Sequence, residues 1–149
     1  MSARLALALV ALAAVLSALV SVYDQLAVVR SLELEDPVLT YEESSHIVSL
    51  TIHAFNPTRR GLDARVLGVR LYSSGAAVAS LRSPVDFRVP PGSSSTIELA
   101  LSPLVPPQRL LDLVRDESSL EIEIDLGLPV RVFGLKVAYL PFTVRARRG

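Results

Sequence analysis

Two hydrophobic patterns divide the chain. Leu5–Val22, LALALVALAAVLSALVSV, holds 16 apolar residues and two serines, with no charge. At about 1.5 Å per residue, a helix of this length spans roughly 27 Å, close to the bilayer core of about 30 Å. From Leu26 onward the dominant period is two. Val48, Leu50, Ile52 and Ala54 alternate with Ser49, Thr51 and His53. Ile97, Leu99 and Leu101 alternate with Glu98, Ala100 and Ser102, and Leu120, Ile122, Ile124 and Leu126 with Glu121, Glu123 and Asp125. Such alternation predicts strands with one buried and one wet face. Less regular strands are expected over Val28–Leu34, Ala64–Ser73, Ala76–Leu81 and Val85–Val89, and Val130–Arg145 is rich in Val, Phe and Tyr.

Turn signals separate these runs: Asp36-Pro37, Asn56-Pro57, Ser74-Gly75, Pro90-Pro91-Gly92 and Gly127-Leu128-Pro129. One segment departs from period two. Pro106-Pro107-Gln108 precedes Arg109–Asp116, where Leu110, Leu111 and Val114 share one helical face, and proline suits a first helical turn. The expected fold is all-β. It is an antiparallel sandwich of seven or eight short strands, with one short helix over an end or edge, preceded by a single transmembrane helix. A three-residue loop at Gly127–Pro129 would set Leu126 against Val130 and Asp125 against Arg131. The apolar parity then flips at Gly134 and again at Pro141, so a bulge or bend is expected at each.

The N-terminal run is best matched by an uncleaved anchor. A cleaved signal would carry small residues at −3 and −1, and Leu19–Tyr23 contains no such site. Tyr23 and Asp24 suit an interface, so the span is expected to end near Val22. The boundaries read are 1–24 for the anchor, with its helix over about 5–22, and 25–149 for the exported domain. Arg4 lies before the run and Arg30 after it, so positive-inside logic puts the N-terminus in the cytoplasm. This predicts a single-pass cell-membrane protein with its C-terminal domain outside.

Composition narrows the chemistry. From Tyr23 on, about 45% of residues are apolar, an ordinary globular value. Lys+Arg and Asp+Glu both number 15, and this balance argues against a nucleic-acid binder. The chain has no Cys, which excludes disulfides, thiolate metal sites and cysteine nucleophiles. His46 and His53 are seven apart and would face opposite sides of one strand, a poor basis for a shared metal. Glu121, Glu123 and Asp125 read as a solvated strand face, paired in part with Arg131 or Lys136. Ser93-Ser94-Ser95 lacks a nucleophile elbow and a base, and no Gly-Lys-Ser/Thr follows Gly92. Arg145, Arg147 and Arg148 form a basic, solvated end. No enzyme, cofactor or metal is expected.

Several of these pieces, in order, resemble the late-embryogenesis-abundant type 2 family, also called the water-stress and hypersensitive-response (WHy) domain. Val48–Phe55 is followed by Asn56-Pro57, then Val69–Tyr72 with Gly75, then Val89-Pro90-Pro91-Gly92-Ser93-Ser94-Ser95 leading into Thr96–Leu101. The resemblance covers about Leu26 to Leu126. It implies an immunoglobulin-like or fibronectin-like sandwich with a short helix before the final strands. It also implies a link to stress tolerance, no enzymatic activity, and a structural role for Asn56, Pro57, Pro90, Pro91 and Gly92. Many plant members carry one membrane helix before the domain. The chain departs from the family pattern after Leu126.

Two function classes follow. The first is a membrane-anchored, non-catalytic stress or envelope module, held in the lipid bilayer through residues 5–22 and acting through its surfaces on proteins or apolar ligands. The second is an assembly subunit, such as a pilin-like appendage protein that self-assembles, although Ser2–Leu5 lacks the basic-Gly prepilin cleavage motif. An accessory subunit of a membrane complex is a variant of the first.

Overall fold

Ser2 accepts the Leu5 amide proton on its hydroxyl at 3.2 Å and so caps a long first helix. A computed structural model describes residues 2–115 and 120–148. Helix α1 runs Ala3–Ser31 without a break. The helix thus continues past Val22, where the membrane-spanning part is expected to end. The helix carries on past Asp24 because Asp24 is ion-paired with Arg60, and because Val28 is buried against the sheet at 2% exposure. The residues expected to form a strand over Val28–Leu34 are thus mainly the last helical turn. Only Glu33–Leu34 is extended, as the short β1.

The remaining strands are β2 (Val38–Glu42), β3 (Ile47–Phe55), β4 (Leu62–Ser73), β5 (Ala76–Leu81), β6 (Val85–Val89), β7 (Ser94–Pro103), β8 (Leu120–Val132) and β9 (Leu135–Arg148). Helix α2, Pro107–Arg115, stands between β7 and β8, where the proline-led segment predicts it. All pairings are antiparallel. They join in one continuous order, β1-β3-β7-β5-β4-β8-β9, with β2 also on β3 and β6 also on β4. The strands therefore form a single curled sheet, a half-barrel. The short β5 makes the bend, pairing with β4 through Ser73–Arg70 and with β7 through Leu101–Pro103.

The alternating rows meet inside the curl. Val48, Leu50 and Ile52 oppose Leu101, Leu99 and Ile97 across β3 and β7. Val69 and Leu71 oppose Ile124 and Ile122 across β4 and β8. These rows share one core, closed at one end by Leu110 of α2. On β4 the inward parity changes from Leu62, Ala64 and Val66 to Val69 and Leu71, and the register slips between Val66 and Gly68. Leu67 is the extra residue that lets both halves of this strand face inward.

The final hairpin also differs from expectation. β8 passes straight through Gly127–Pro129, and the turn is Phe133-Gly134, with Asp125 opposite Thr143 and Arg131 opposite Lys136. Glycine at 127 answers to crowding, not turning: a Cβ there would lie 3.1 Å from Leu67 and 3.2 Å from Tyr139. The parity flip near Gly134 is met by the turn and by Val137, left unpaired where the register slips. Pro141 sits in a regular ladder opposite Gly127.

Candidate functional site

The family-motif residues gather at the end of the sheet where α1 arrives. Asn56 is fully buried and uses its whole amide. Its Nδ2 donates to the carbonyls of Arg60 at 2.6 Å and Val89 at 3.2 Å. Its Oδ1 accepts from the Thr58 amide at 3.0 Å and the Thr58 hydroxyl at 2.6 Å. Its backbone bonds the second turn, with Asn56 N donating to Ser93 O and Gly92 N donating to Asn56 O. Gly92 adopts φ +63°, where a side chain is disfavoured. Asn56 thus locks the loop after β3 to the Pro90-Pro91-Gly92 turn, and Arg60 on that loop reaches Asp24 on α1.

Beside this lock lies a charged cluster. Asp63 receives Arg131 at 3.3 Å, Lys136 at 3.4 Å and Arg88 at 3.9 Å. Tyr139 lies under Arg65, with 5.3 Å from guanidinium carbon to ring centroid, and under Lys136 at 5.9 Å. Arg65 also donates to Asp86 at 2.8 Å, and this hydrogen bond holds the Asp86 carboxyl below its usual range. Arg131 and Lys136 therefore do not serve the acidic stripe. Glu123 pairs with Arg70 and, at 3.5 Å, with Arg145, while Asp125 takes Arg70 at 3.2 Å and the Thr143 hydroxyl at 2.9 Å. Of the basic C-terminal residues, Arg147 and Arg148 have side chains outside the described set.

The histidines are apart. His46 sits in the β2–β3 turn at φ 53°, its Nδ1 2.6 Å from the Tyr41 hydroxyl, and His53 on β3 lies 3.0 Å from Thr96 Oγ1. Among the described residues, no three His, Asp or Glu side chains converge on a metal-sized site. An open cleft of about 620 Å³ lies between the β2–β3 turn and α2, lined by Tyr41, His46, Gln108 and Asp112 among others. Inside the curl, Val29, Leu32, Ile52, Phe87, Leu99 and Leu126 border an apolar void of about 80 Å³. That is well below the roughly 300 Å³ at which small-molecule pockets begin.

Sequence reasoning missed the contact between α1 and the last hairpin. The two serines of the apolar run both face β8. Ser21 Oγ accepts the Arg131 amide at 3.1 Å and donates to the Pro129 carbonyl at 3.3 Å, and Ser17 Oγ accepts the Phe133 amide at 3.0 Å. The signal was their spacing of four, which places both on one helix face.

A buried asparagine thus joins two proline turns in a curled antiparallel sheet that follows an apolar helix. The family model for late embryogenesis abundant proteins matches residues 51–146, and the chain belongs to that family. No curated protein matches. Solved structures give distant likenesses. A protein from Archaeoglobus fulgidus is 18% identical, covering 78% of this chain and 93% of its own, with a TM-score of 0.33. A FixG-related protein from Vibrio parahaemolyticus is 13% identical, covering 78% and 94%, with a TM-score of 0.37. A putative late embryogenesis abundant protein is 13% identical, covering 84% and 74%, with a TM-score of 0.28.

Proposed function

We propose that the chain is a membrane-anchored, non-catalytic module of the desiccation and stress type, with its immunoglobulin-like β domain outside the cell and of the WHy kind. It acts through its surfaces on proteins, lipid or a second copy. The observation that carries the anchor is the exposure along α1. Leu5, Leu7, Leu9, Leu12, Val15 and Leu16 are each half or more exposed. Burying each such side chain is worth about 1.5–3 kcal/mol, so a bare rod of them requires an apolar surrounding. The helix is long and apolar enough to cross a membrane. Family membership supports the stress-related role.

Two treatments of native membranes test this reading. Alkaline carbonate should leave the full chain in the pellet, and external protease should digest the domain in intact cells. Release by carbonate overturns the anchor, and protection from protease overturns the orientation. The protruding rod also fits a structural subunit of a cell-surface appendage. Recovery of the chain in sheared filaments would favour that second reading.

A further inference from the structure

We propose that the tip of the β8–β9 hairpin, Val132–Leu135, is a second membrane-inserting element that enters the lipid beside α1. This rests on the reading of α1 as a membrane span. β4 leaves β8 at Gly127, so the edge of β8 beyond that point has no strand partner on the helix side. Ser17 and Ser21 take its place, satisfying the Phe133 and Arg131 amides and the Pro129 carbonyl. Strand edges in lipid must be satisfied internally, and here the helix does it. Around the serines α1 presents Ala14 and Ala18, small residues that let the backbones approach.

Ser17 lies five residues inside Val22, so at 1.5 Å per residue the Phe133 amide sits about 8 Å within the apolar run. The tip is built for that depth. Phe133 and Leu135 are 62% and 71% exposed. The next rung is Arg131 opposite Lys136, two cations that share the one Asp63 carboxylate and so leave net positive charge at the level of anionic headgroups, with Tyr139 behind them. The turn itself departs from ordinary hairpin chemistry. Phe133 has φ 51° and Gly134 φ 81°, a conformation that favours Asn-Gly, yet the first position holds a bulky apolar ring. A large residue at positive φ is a strained choice, and burial of the ring in lipid accounts for its presence.

The chain has no cysteine, so one environment-sensitive fluorophore can be placed at will. Full-length Phe133→Cys, Leu19→Cys and Gln108→Cys would be labelled and reconstituted in phosphatidylcholine vesicles with or without nitroxide-bearing lipid. The expected result is blue-shifted emission and comparable loss by lipid-borne quencher at positions 133 and 19, with none at 108 on the far helix. Leu135→Cys repeats the measurement from outside the turn, should Phe133→Cys disturb it. Quenching at 19 without quenching at 133 or 135 overturns the inserted tip and leaves the anchor standing. No quenching at any of these positions overturns both. Shielding of 133 from aqueous iodide without lipid quenching assigns the patch to a second copy of the chain, and also overturns the proposal.

Discussion

Asp24, on the helix past the apolar run, is ion-paired with Arg60 on the loop that Asn56 organises. The pair adds a charged contact between α1 and the sheet, between the Ser17 and Ser21 hydrogen bonds and the buried Val28. Its Arg60 end is 64% exposed, so its worth is that of a surface pair. A double-mutant cycle with Asp24→Ala and Arg60→Ala, read by denaturation in detergent, should give a coupling of about 0.2–1 kcal/mol that falls with salt. Coupling that salt leaves unchanged would contradict the assignment.

Asn56→Asp should destabilise nearly as much as Asn56→Ala. Aspartate keeps the shape and the acceptor but cannot donate to the Arg60 and Val89 carbonyls. The contact to the Val89 carbonyl is buried, and leaving a buried acceptor unsatisfied costs about 1–3 kcal/mol, whereas the part-buried Arg60 carbonyl also lies 2.9 Å from the Thr58 hydroxyl. Urea unfolding of the two variants checks this. A near-neutral Asn56→Asp would show that the donor half of the amide is dispensable.

Ile122→Ala should cost about 2–5 kcal/mol through lost burial and a residual cavity. Its neighbour Glu123 faces the other way but is not a plain wet carboxylate, since it pairs with Arg70 and Arg145. Glu123→Ala should cost about 1 kcal/mol or less, and Arg70→Ala about the same. Equal losses at 122 and 123 would mean that β8 faces the other way.

Phe133→Asn should raise the stability of the domain in detergent by about 1 kcal/mol, because asparagine tolerates the left-handed conformation that phenylalanine holds under strain. The thermal midpoint checks this. A loss of stability would show that the ring packs on the fold itself.

The Arg65 hydrogen bond lowers the folded-state pKa of Asp86. Its stabilisation is therefore present above the ordinary carboxylate pKa and is lost as pH falls through the lowered folded value. Asp86→Asn should be less stable than the unchanged chain at neutral pH, and the gap should close under acid. Midpoints measured across that range test the direction. A gap that widens on acidification would refute it.

The sheet's rows were readable wherever one strand kept one parity, as on β3, β7 and the first part of β8. The failures have physical causes. Pro129 looked like a turn residue, yet its missing N–H falls on the edge of β8 that meets no strand, where proline is tolerated. Gly127 looked like its partner in that turn but is glycine because Leu67 and Tyr139 crowd it. Asp24 looked like the end of the helix, because its partner Arg60 is 36 positions away and no local pattern announces a long-range ion pair. β2, VLTYE, carries no alternating apolar row, since only Leu39 in it is fully buried. Of the site, the roles of Asn56 and Gly92 were legible through their turn chemistry, whereas the Ser17 and Ser21 contacts needed the hairpin to be in place.

Helix α1 crosses from its bare half to its packed half with no glycine, proline or loop between. A domain mounted this way has no swivel. Tilting the rod tilts the sheet, and turning the rod turns it. A helix seated in a bilayer would hold the open end of the curl and the cationic rung at a set height and bearing above the lipid. The Tyr41–His46 cleft and α2 would then stand outermost, as the parts first met by anything approaching from the solvent.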